Sequence, residues 1–421
     1  MAASALVVLI APPLYLMFDL AVVGRLGGHD LAALAVATLV LGIISTQLTF
    51  LSYGTTARSA RAFGAGDRPQ AVHEGVQASW IAVLVGAAIV AVAWVCAPWI
   101  MRALVPDHQV ASDAAGWLRI AVLGVPLILL SMAGNGWMRG VQDTRRPVYY
   151  VLAGLVVSAV LCLGLVHGLA GAPHLGLEGS AIANVTGQSL TGALFAQRLI
   201  REAGGRLGVD GPVMRAQLTM ARDLILRSAS FQVCFVSAAA VAARFGVAEV
   251  AAHQLVLQLW DFISLLLDSL AIAAQQLVGA ALGAAAYAAA RSDARRATTA
   301  SLGLSGLLAV VFAGGASLLP RIFTDDAAIL HAVTTPWWFL VAMLPVAGVV
   351  FALDGVLLGA GDVAYLRTAT LAGALGAFLP MIWLSLVFDW GLAGIWAGLL
   401  LFMLTRLAAV VWRVRSGSWV H

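Results

Sequence analysis

Apolar residues fall along this chain in blocks of twenty or more, separated by short polar turns, from its first residues to its last. The hydrocarbon core of a bilayer is about 30 Å thick, and a helix needs roughly twenty apolar residues to cross it. The blocks predict about twelve spanning helices, near 5–23, 33–57, 74–98, 116–138, 147–168, 178–200, 224–244, 249–283, 298–318, 334–358, 367–388 and 391–412. The expected class is an all-α polytopic membrane protein.

The polar turns alternate in charge. Arg58, Arg61 and Arg68 follow the second block, and Arg139, Arg145 and Arg146 the fourth. Arg198, Arg201, Arg206, Arg215 and Arg222 follow the sixth, Arg291, Arg295 and Arg296 the eighth, and Arg413 and Arg415 the last. The intervening turns hold few, among them Arg25, Arg102, Arg244 and Arg321. Basic loops stay on the cytoplasmic side, so both termini are expected there, in a cell (plasma) membrane or inner membrane.

The longest polar interruption, GGRLGVDGP at 204–212, divides the chain into an N-terminal lobe at 1–202, a cytoplasmic linker at 203–222 and a C-terminal lobe at 223–421. An internal repeat supports the division. Gly27, Gly64, Pro126, Gly140 and Asp143 recur as Gly246, Gly283, Pro345, Gly359 and Asp362, at one offset of 219 residues as from Pro126 to Pro345. Six helices per half give halves of like orientation, related by a pseudo-twofold axis along the membrane normal, with a binding site near the midplane.

Four carboxylates interrupt the apolar blocks: Asp19, Asp261, Asp268 and Asp354. Each costs about 2.5–3.5 kcal/mol at a helix centre on insertion scales, and such residues mark ion or substrate paths. At the repeat offset they fall opposite Ala238, Gly42, Thr49 and Asn135, so the symmetry of the fold does not require them. Taking a carboxylate out of water disfavours its charged form, which suits Asp19 and Asp354 to carry a proton or cation. Pro12 and Pro13 precede Asp19 by about two turns and can bend that helix.

Asp261 and Asp268 lie seven residues apart, on one helix face, with Gln258 and Gln275 along the same helix. Asn135, Asn184 and Gln188 are polar candidates for the N-terminal lobe. Met17, Phe231 and Gln232 complete the expected cavity lining; flexible apolar side chains suit promiscuous binding. The competing view is that these residues only join helices, at roughly 0.6 kcal/mol for each polar contact.

Composition sharpens the class. The 421 residues are 62% hydrophobic and 10% charged, with mean hydropathy +0.96; soluble proteins are about 45–50% apolar and about 25% charged. All 24 basic residues are Arg. The net charge of +4 reflects basic loops rather than nucleic-acid binding. Cys96, Cys162 and Cys234 fall within blocks as small apolar fillers. No metal or cofactor motif is expected, and no P-loop that would support a nucleotide-driven pump.

Several segments carry a family resemblance. PLYLMFDLAVVGRLGGHDLAALAVA at 13–37, RGVQDTRRP at 139–147, GLEGSAIAN at 176–184, VAAHQL at 250–255, DSLAIAAQQLVGAALG at 268–283 and LDGVLLGAGD at 353–362 resemble, in order, the multidrug and toxic compound extrusion (MATE) family. Helices 1 and 8 are most similar to its DinF-type branch. The resemblance implies two six-helix lobes around a central cleft, and antiport of organic cations against protons or Na⁺. It carries the family's first-helix acid onto Asp19, its tenth-helix acid onto Asp354 and the branch's eighth-helix acid onto Asp268.

Three departures stand out. Gln232 replaces a Glu tied to Na⁺ coupling in one branch, and Ser158 and Cys162 replace more polar residues beside Asp19. The chain also begins close to its first helix, so Met1 is expected to be an internal start.

The expected function is secondary antiport: export of amphipathic organic cations driven by proton entry, with the coupling ion H⁺ rather than Na⁺, no other cofactor, and a monomer in membrane lipid as the working unit. Two alternatives compete with proton antiport: Na⁺-coupled export, and a flippase for a lipid-linked precursor, against which the loop location of most Arg residues counts. The His108-x4-Asp113 spacing matches some acyltransferases but has no supporting motif.

Overall fold

The computed structural model describes residues 1–420. They form helices and connecting turns, with no strand among the described residues. Eleven helices are long and apolar enough to cross a membrane. In the first half they are α1 (Ala2–Val23), α2 (Gly28–Gly64), α3 (Arg68–Leu104), α4 (His108–Gly140) and α5 (Arg145–His167). A further helix, α6 (Gly176–Ala203), is 28 residues long but more polar. The second half has α7 (Gly211–Phe245), α8 (Val247–Gly283), α9 (Tyr287–Gly314), α10 (Ala327–Gly359), α11 (Val363–Val387) and α12 (Gly391–Ser416). These are the expected twelve, most of them longer than the apolar blocks because polar first and last turns extend each helix beyond the hydrocarbon.

Caps fix where several helices begin. Asp107 starts α4 by accepting from the backbone N–H of Gln109 and Val110, at 2.8 and 3.2 Å. Those two bonds hold its carboxyl below the usual range. Asp67 and Asp326 cap α3 and α10 in the same way, each satisfying N–H groups that a helix start leaves unpaired. Large apolar side chains such as Val92, Trp94, Trp99, Leu307, Val310 and Trp412 are exposed, as a lipid-facing surface requires.

The chain divides into two compact units, with the boundary at Ala221 and Arg222. In the first, α5 lies along α6, and α3 along the second half of α4. Glycines let the α5–α6 seam close: a Cβ on Gly187 would lie 2.5 Å from the carbonyl oxygen of Gly154. Small residues at such seams let helix backbones approach in membranes. In the second unit α10 is the central rod, packed on α8, α9 and α12 and buried along much of its length.

The expected linker at 203–222 is shorter in the structure, because α7 already begins at Gly211. The intervening strap is tied to α3. Gln77 donates to the Gly208 carbonyl at 2.7 Å and accepts from the Asp210 N–H at 2.9 Å. The Trp80 indole donates to the Leu207 carbonyl. Asp210 caps α7 through the Val213 N–H and meets His73 at 3.2 Å; these contacts hold its carboxyl below the usual range.

Candidate functional site

Asp19 is the centre of the first unit's polar interior. It is 1% exposed, on the helix that carries Pro12 and Pro13. Proline has no N–H to give, so the carbonyls of Val8 and Leu9 lose their usual helical partners. Both residues line a cavity of ≈ 390 Å³. Asp19, Asn135, Asn184 and Gln188 line the same cavity, together with Tyr15, Trp117 and Arg139. Four of the expected site residues, from three helices, therefore share one space.

The bonding around Asp19 is short and uncharged. The Ser180 hydroxyl donates to its two oxygens, at 2.7 and 2.9 Å. The Cys162 thiol donates to Oδ1 at 3.3 Å. Ser180 in turn accepts from the Trp117 indole N–H at 3.3 Å. The Ser158 hydroxyl is within hydrogen-bond reach of the Tyr15 hydroxyl and of the Ala183 carbonyl. Among the described residues no ion pair reaches Asp19. Asn135 Oδ1 is buried with no hydrogen-bond partner among them, leaving an acceptor in the same space.

Met17 is not part of this lining. It is 67% exposed, because two helical positions from Asp19 carry it to the opposite side of α1.

Asp354 has a different setting. It is 5% exposed, so it is not at a solvated helix end, and its Oδ2 accepts from both Arg227 and Arg406. Both guanidinium groups also lie over the Phe231 ring, at 5.9 and 5.4 Å from its centre, and Phe231 meets Phe402 edge-on. Phe231 is thus a platform for an ion-pair cluster. Gln232 is half-buried on the same helix. The expectation of a lone titrating acid does not describe Asp354, whose charge is matched twice over. Three arginines stand apart from those near the polar turns: Arg139 and Arg406 are buried and Arg227 half-buried, each within a helix.

On α8, Gln258 and Asp261 are exposed and Asp268 is half-buried, on one stripe. Gln275 continues that stripe but is buried. There the stripe is closed by α10: Cβ atoms on Gly355 and Gly359 would lie 2.1 and 2.5 Å from the carbonyl oxygens of Ala271 and Gln275.

A second cavity, ≈ 960 Å³, lies in the first unit. It is lined by Asp30, Arg102, His108, Asp113, Arg119, His174 and Glu178 among others. Asp113 pairs with His29 at 2.8 Å rather than with His108, which removes the geometric basis for the acyltransferase spacing.

A family model described as MatE matches residues 4–163 and 224–384. The chain belongs to the MATE family. Its similarity to "Protein DETOXIFICATION 44, chloroplastic" of Arabidopsis thaliana is 32% identity over 99% of this chain and 82% of that protein. To "DNA damage-inducible protein F" of Escherichia coli K12 it is 28%, over 97% of this chain and 90% of the relative, in keeping with the DinF-type features of α1 and α8. Among solved structures, a MATE protein in the bent conformation superposes with a TM-score of 0.89 at 19% identity, covering 100% of this chain and 94% of that one. The eukaryotic MATE transporter AtDTX14 gives 0.83 at 18%, covering 100% and 95%. Fold and relatives are those of multi-pass membrane transporters, not of enzymes.

Serine at 180, Trp117, Arg227 and Arg406 escaped the sequence reading. Two of them had a signal: Arg inside an apolar run is as costly as Asp, so Arg227 and Arg406 should have been sought as partners for an intramembrane acid.

Proposed function

We propose that this MATE protein is a secondary antiporter that exports amphipathic organic cations in exchange for protons, with Asp19 as the shared site. One observation carries the reading: Asp19 is a buried carboxylate in a cavity, bonded to a hydroxyl and a thiol and matched by no cation among the described residues. Such a charge is costly to bury unpaired. Either a proton or a bound organic cation removes that cost, and both cannot do so at once. Substrate is displaced by protonation on the outer side and regained after the proton leaves toward the cytoplasm. Coupling arises because each ligand favours a different state.

Asp354 serves instead as the centre of a fixed ion-pair cluster, and Asp261, Asp268 and Gln258 offer a polar stripe to substrate. Protons suit the Asp19 site better than Na⁺, because the Cys162 sulfur is a soft ligand and a poor match for a hard cation that prefers oxygen. Both termini are cytoplasmic, in a plasma membrane, and the single chain is the working unit.

One observation favours a second reading, a flippase for an anionic lipid-linked precursor: Arg139 lines the Asp19 cavity. The test is ethidium efflux from proteoliposomes under an imposed pH gradient and then a Na⁺ gradient. Efflux that follows only the pH gradient, and is lost in folded Asp19→Asn, supports proton antiport. Efflux driven by Na⁺ refutes the coupling. Failure with both gradients, together with scrambling of a fluorescent lipid pyrophosphate, favours the flippase.

A further inference from the structure

Along the seam of α7, α11 and α12 the second unit holds more positive charge than negative. Two carboxylates there are each shared by two arginines. Asp223 accepts from Arg222 and Arg367, at 2.9 and 2.7 Å. Arg227, one turn after Asp223 on α7, donates to Asp354 of α10, and so does Arg406 of α12. Arg222 is exposed and Arg367 half-buried, so water takes up their excess. The side chains of Arg227 and Arg406 are only 15% and 4% exposed.

Among the described residues neither Arg227 nor Arg406 forms an ion pair with any other carboxylate. Arginine keeps its proton in proteins, so this excess cannot be shed as a buried lysine or aspartate sheds its own. The Phe231 ring faces both guanidinium groups, at 5.9 and 5.4 Å, and the Phe402 ring faces Arg406 at 5.6 Å. A ring face attracts a cation weakly beside the cost of taking an ion out of water, so the rings offset only part of it.

A hydroxyl stands at the same level. Helices α7 and α11 touch at Asp223 and Arg367, and again where the Cys234 thiol donates to the Ala374 carbonyl at 3.3 Å. Arg227 and Thr370 lie between those contacts. Helices α11 and α12 touch where the Tyr365 hydroxyl donates to the Ala409 carbonyl at 2.8 Å, and again where a Cβ on Gly373 would lie 3.0 Å from Phe402. Thr370 and Arg406 lie between these. Thr370 is 1% exposed, and its hydroxyl has no partner among the described residues; an unpaired buried donor is costly. The Arg227 Nε–H is also buried and unpaired. Closing it onto the unpaired Asp354 Oδ1 would satisfy both atoms but leave the excess charge and the Thr370 hydroxyl as they are. One turn after Thr370, α11 widens into a π-helical turn at Ala374–Phe378, a feature frequent at functional sites.

We propose that the second unit binds a small monovalent anion, chloride, against Arg227, Arg406 and Thr370. One negative charge balances the Asp354 cluster. The rings of Phe231 and Phe402 crowd the site, which suits a single-atom ion better than phosphate or an organic carboxylate. Asp354 repels an anion, so the ion takes guanidinium N–H groups that Asp354 does not use; each Arg has five. The more exposed Arg222 and Arg367 draw anions toward the same seam. The site does not rest on the antiport reading, because Asp19 belongs to the other unit.

The test is the melting temperature of the full chain in detergent, read by labelling of the Cys234 thiol, which is buried in the same unit. Sodium gluconate is exchanged for sodium chloride at constant ionic strength. Chloride should raise the melting temperature by about 3 °C or more and saturate, as expected of an ion that binds only the folded state. Bromide should replace it. Arg227→Gln leaves one arginine on Asp354 and no excess charge, so it should melt alike in both salts. Thr370→Val keeps the shape and removes the hydroxyl, and should need severalfold more chloride for half the shift. Equal melting of the wild type in chloride and gluconate overturns the site, and so does a full chloride shift in Arg227→Gln. If Arg227→Gln does not fold, an unchanged chloride requirement in Thr370→Val overturns it instead.

Discussion

Replacing Asp354 by Asn should unsettle the second unit more than any other single change to its ion-pair cluster. The substitution nearly preserves shape and removes one charge. What remains is two guanidinium groups whose side chains are 15% and 4% exposed, facing one another without a counter-charge. Two like charges about 5 Å apart at an effective dielectric of about 20 repel by about 3 kcal/mol. Removing one partner from a buried pair costs about 3–5 kcal/mol by itself, and the two figures describe overlapping effects, so about 3–5 kcal/mol is the expected total.

Arg406→Gln should cost less, because it leaves a matched Asp354–Arg227 pair. Arg227→Gln should cost least, about 1–2 kcal/mol, as the more exposed partner. Cys234 is 1% exposed in the core of the same unit, so labelling of its thiol during heating reports unfolding there. With about 2–4 °C per kcal/mol for a unit of this size, Asp354→Asn should melt roughly 6–20 °C below wild type. A melting point equal to that of Arg227→Gln would refute the ion-pair reading. A normally stable Asp354→Asn protein that had lost proton coupling would show that Asp354 carries the proton instead.

Three further outcomes follow from particular contacts. Gly355→Ala places a methyl group 2.1 Å from the Ala271 carbonyl oxygen; overpacking of this kind costs about 1–3 kcal/mol or more, read as a lower melting point, whereas Gly376→Ala, with open space around it, should be near neutral. The strap at 204–210 should come loose in acid. The Asp210 carboxyl is held below its usual range by the Val213 N–H and by His73, so its contribution is intact above about pH 4 and is lost as pH falls through the lowered value. Limited proteolysis with pepsin, comparing wild type with Asp210→Asn at pH 3 and pH 5, should show earlier strap cleavage in Asp210→Asn at pH 5 and a smaller difference between the two proteins at pH 3. Asn135→Ala or Gln188→Ala should weaken ethidium binding severalfold, while Met17→Ala, on the far side of α1, should leave it unchanged within about 0.5 kcal/mol; equal losses in all three would refute the assignment of the cavity.

The helices were legible because burial in lipid writes a plain signal: long apolar blocks with Arg-rich turns. The more polar α6 was found as well, since its polar residues are spaced among apolar ones. What the pattern could not give was the partner of each polar residue. Asp19 and Asp354 look alike along the chain, each a single acid in an apolar run. One meets Ser180 and Cys162 and the other two arginines, and only the packing of α5, α6, α7 and α12 decides which. Gln275 shows the same limit: its helical position places it with Asp261, but the glycines of α10 let that helix close over it. Helix α7 runs from Gly211 through Arg215 and Arg222, because polar first turns extend a membrane helix as readily as they end one.

The central claim is that substrate and proton compete for Asp19, and it is tested most directly by counting protons. The solubilised protein is placed in weak buffer near neutral pH with an indicator dye, and ethidium is added. Binding to Asp19 should expel about one proton for each ethidium bound, since linkage requires that each ligand weaken the other, and Asp19→Asn should expel none. Ethidium binding with no proton released from the wild type between pH 5 and pH 8, or equal release from Asp19→Asn, would contradict the account.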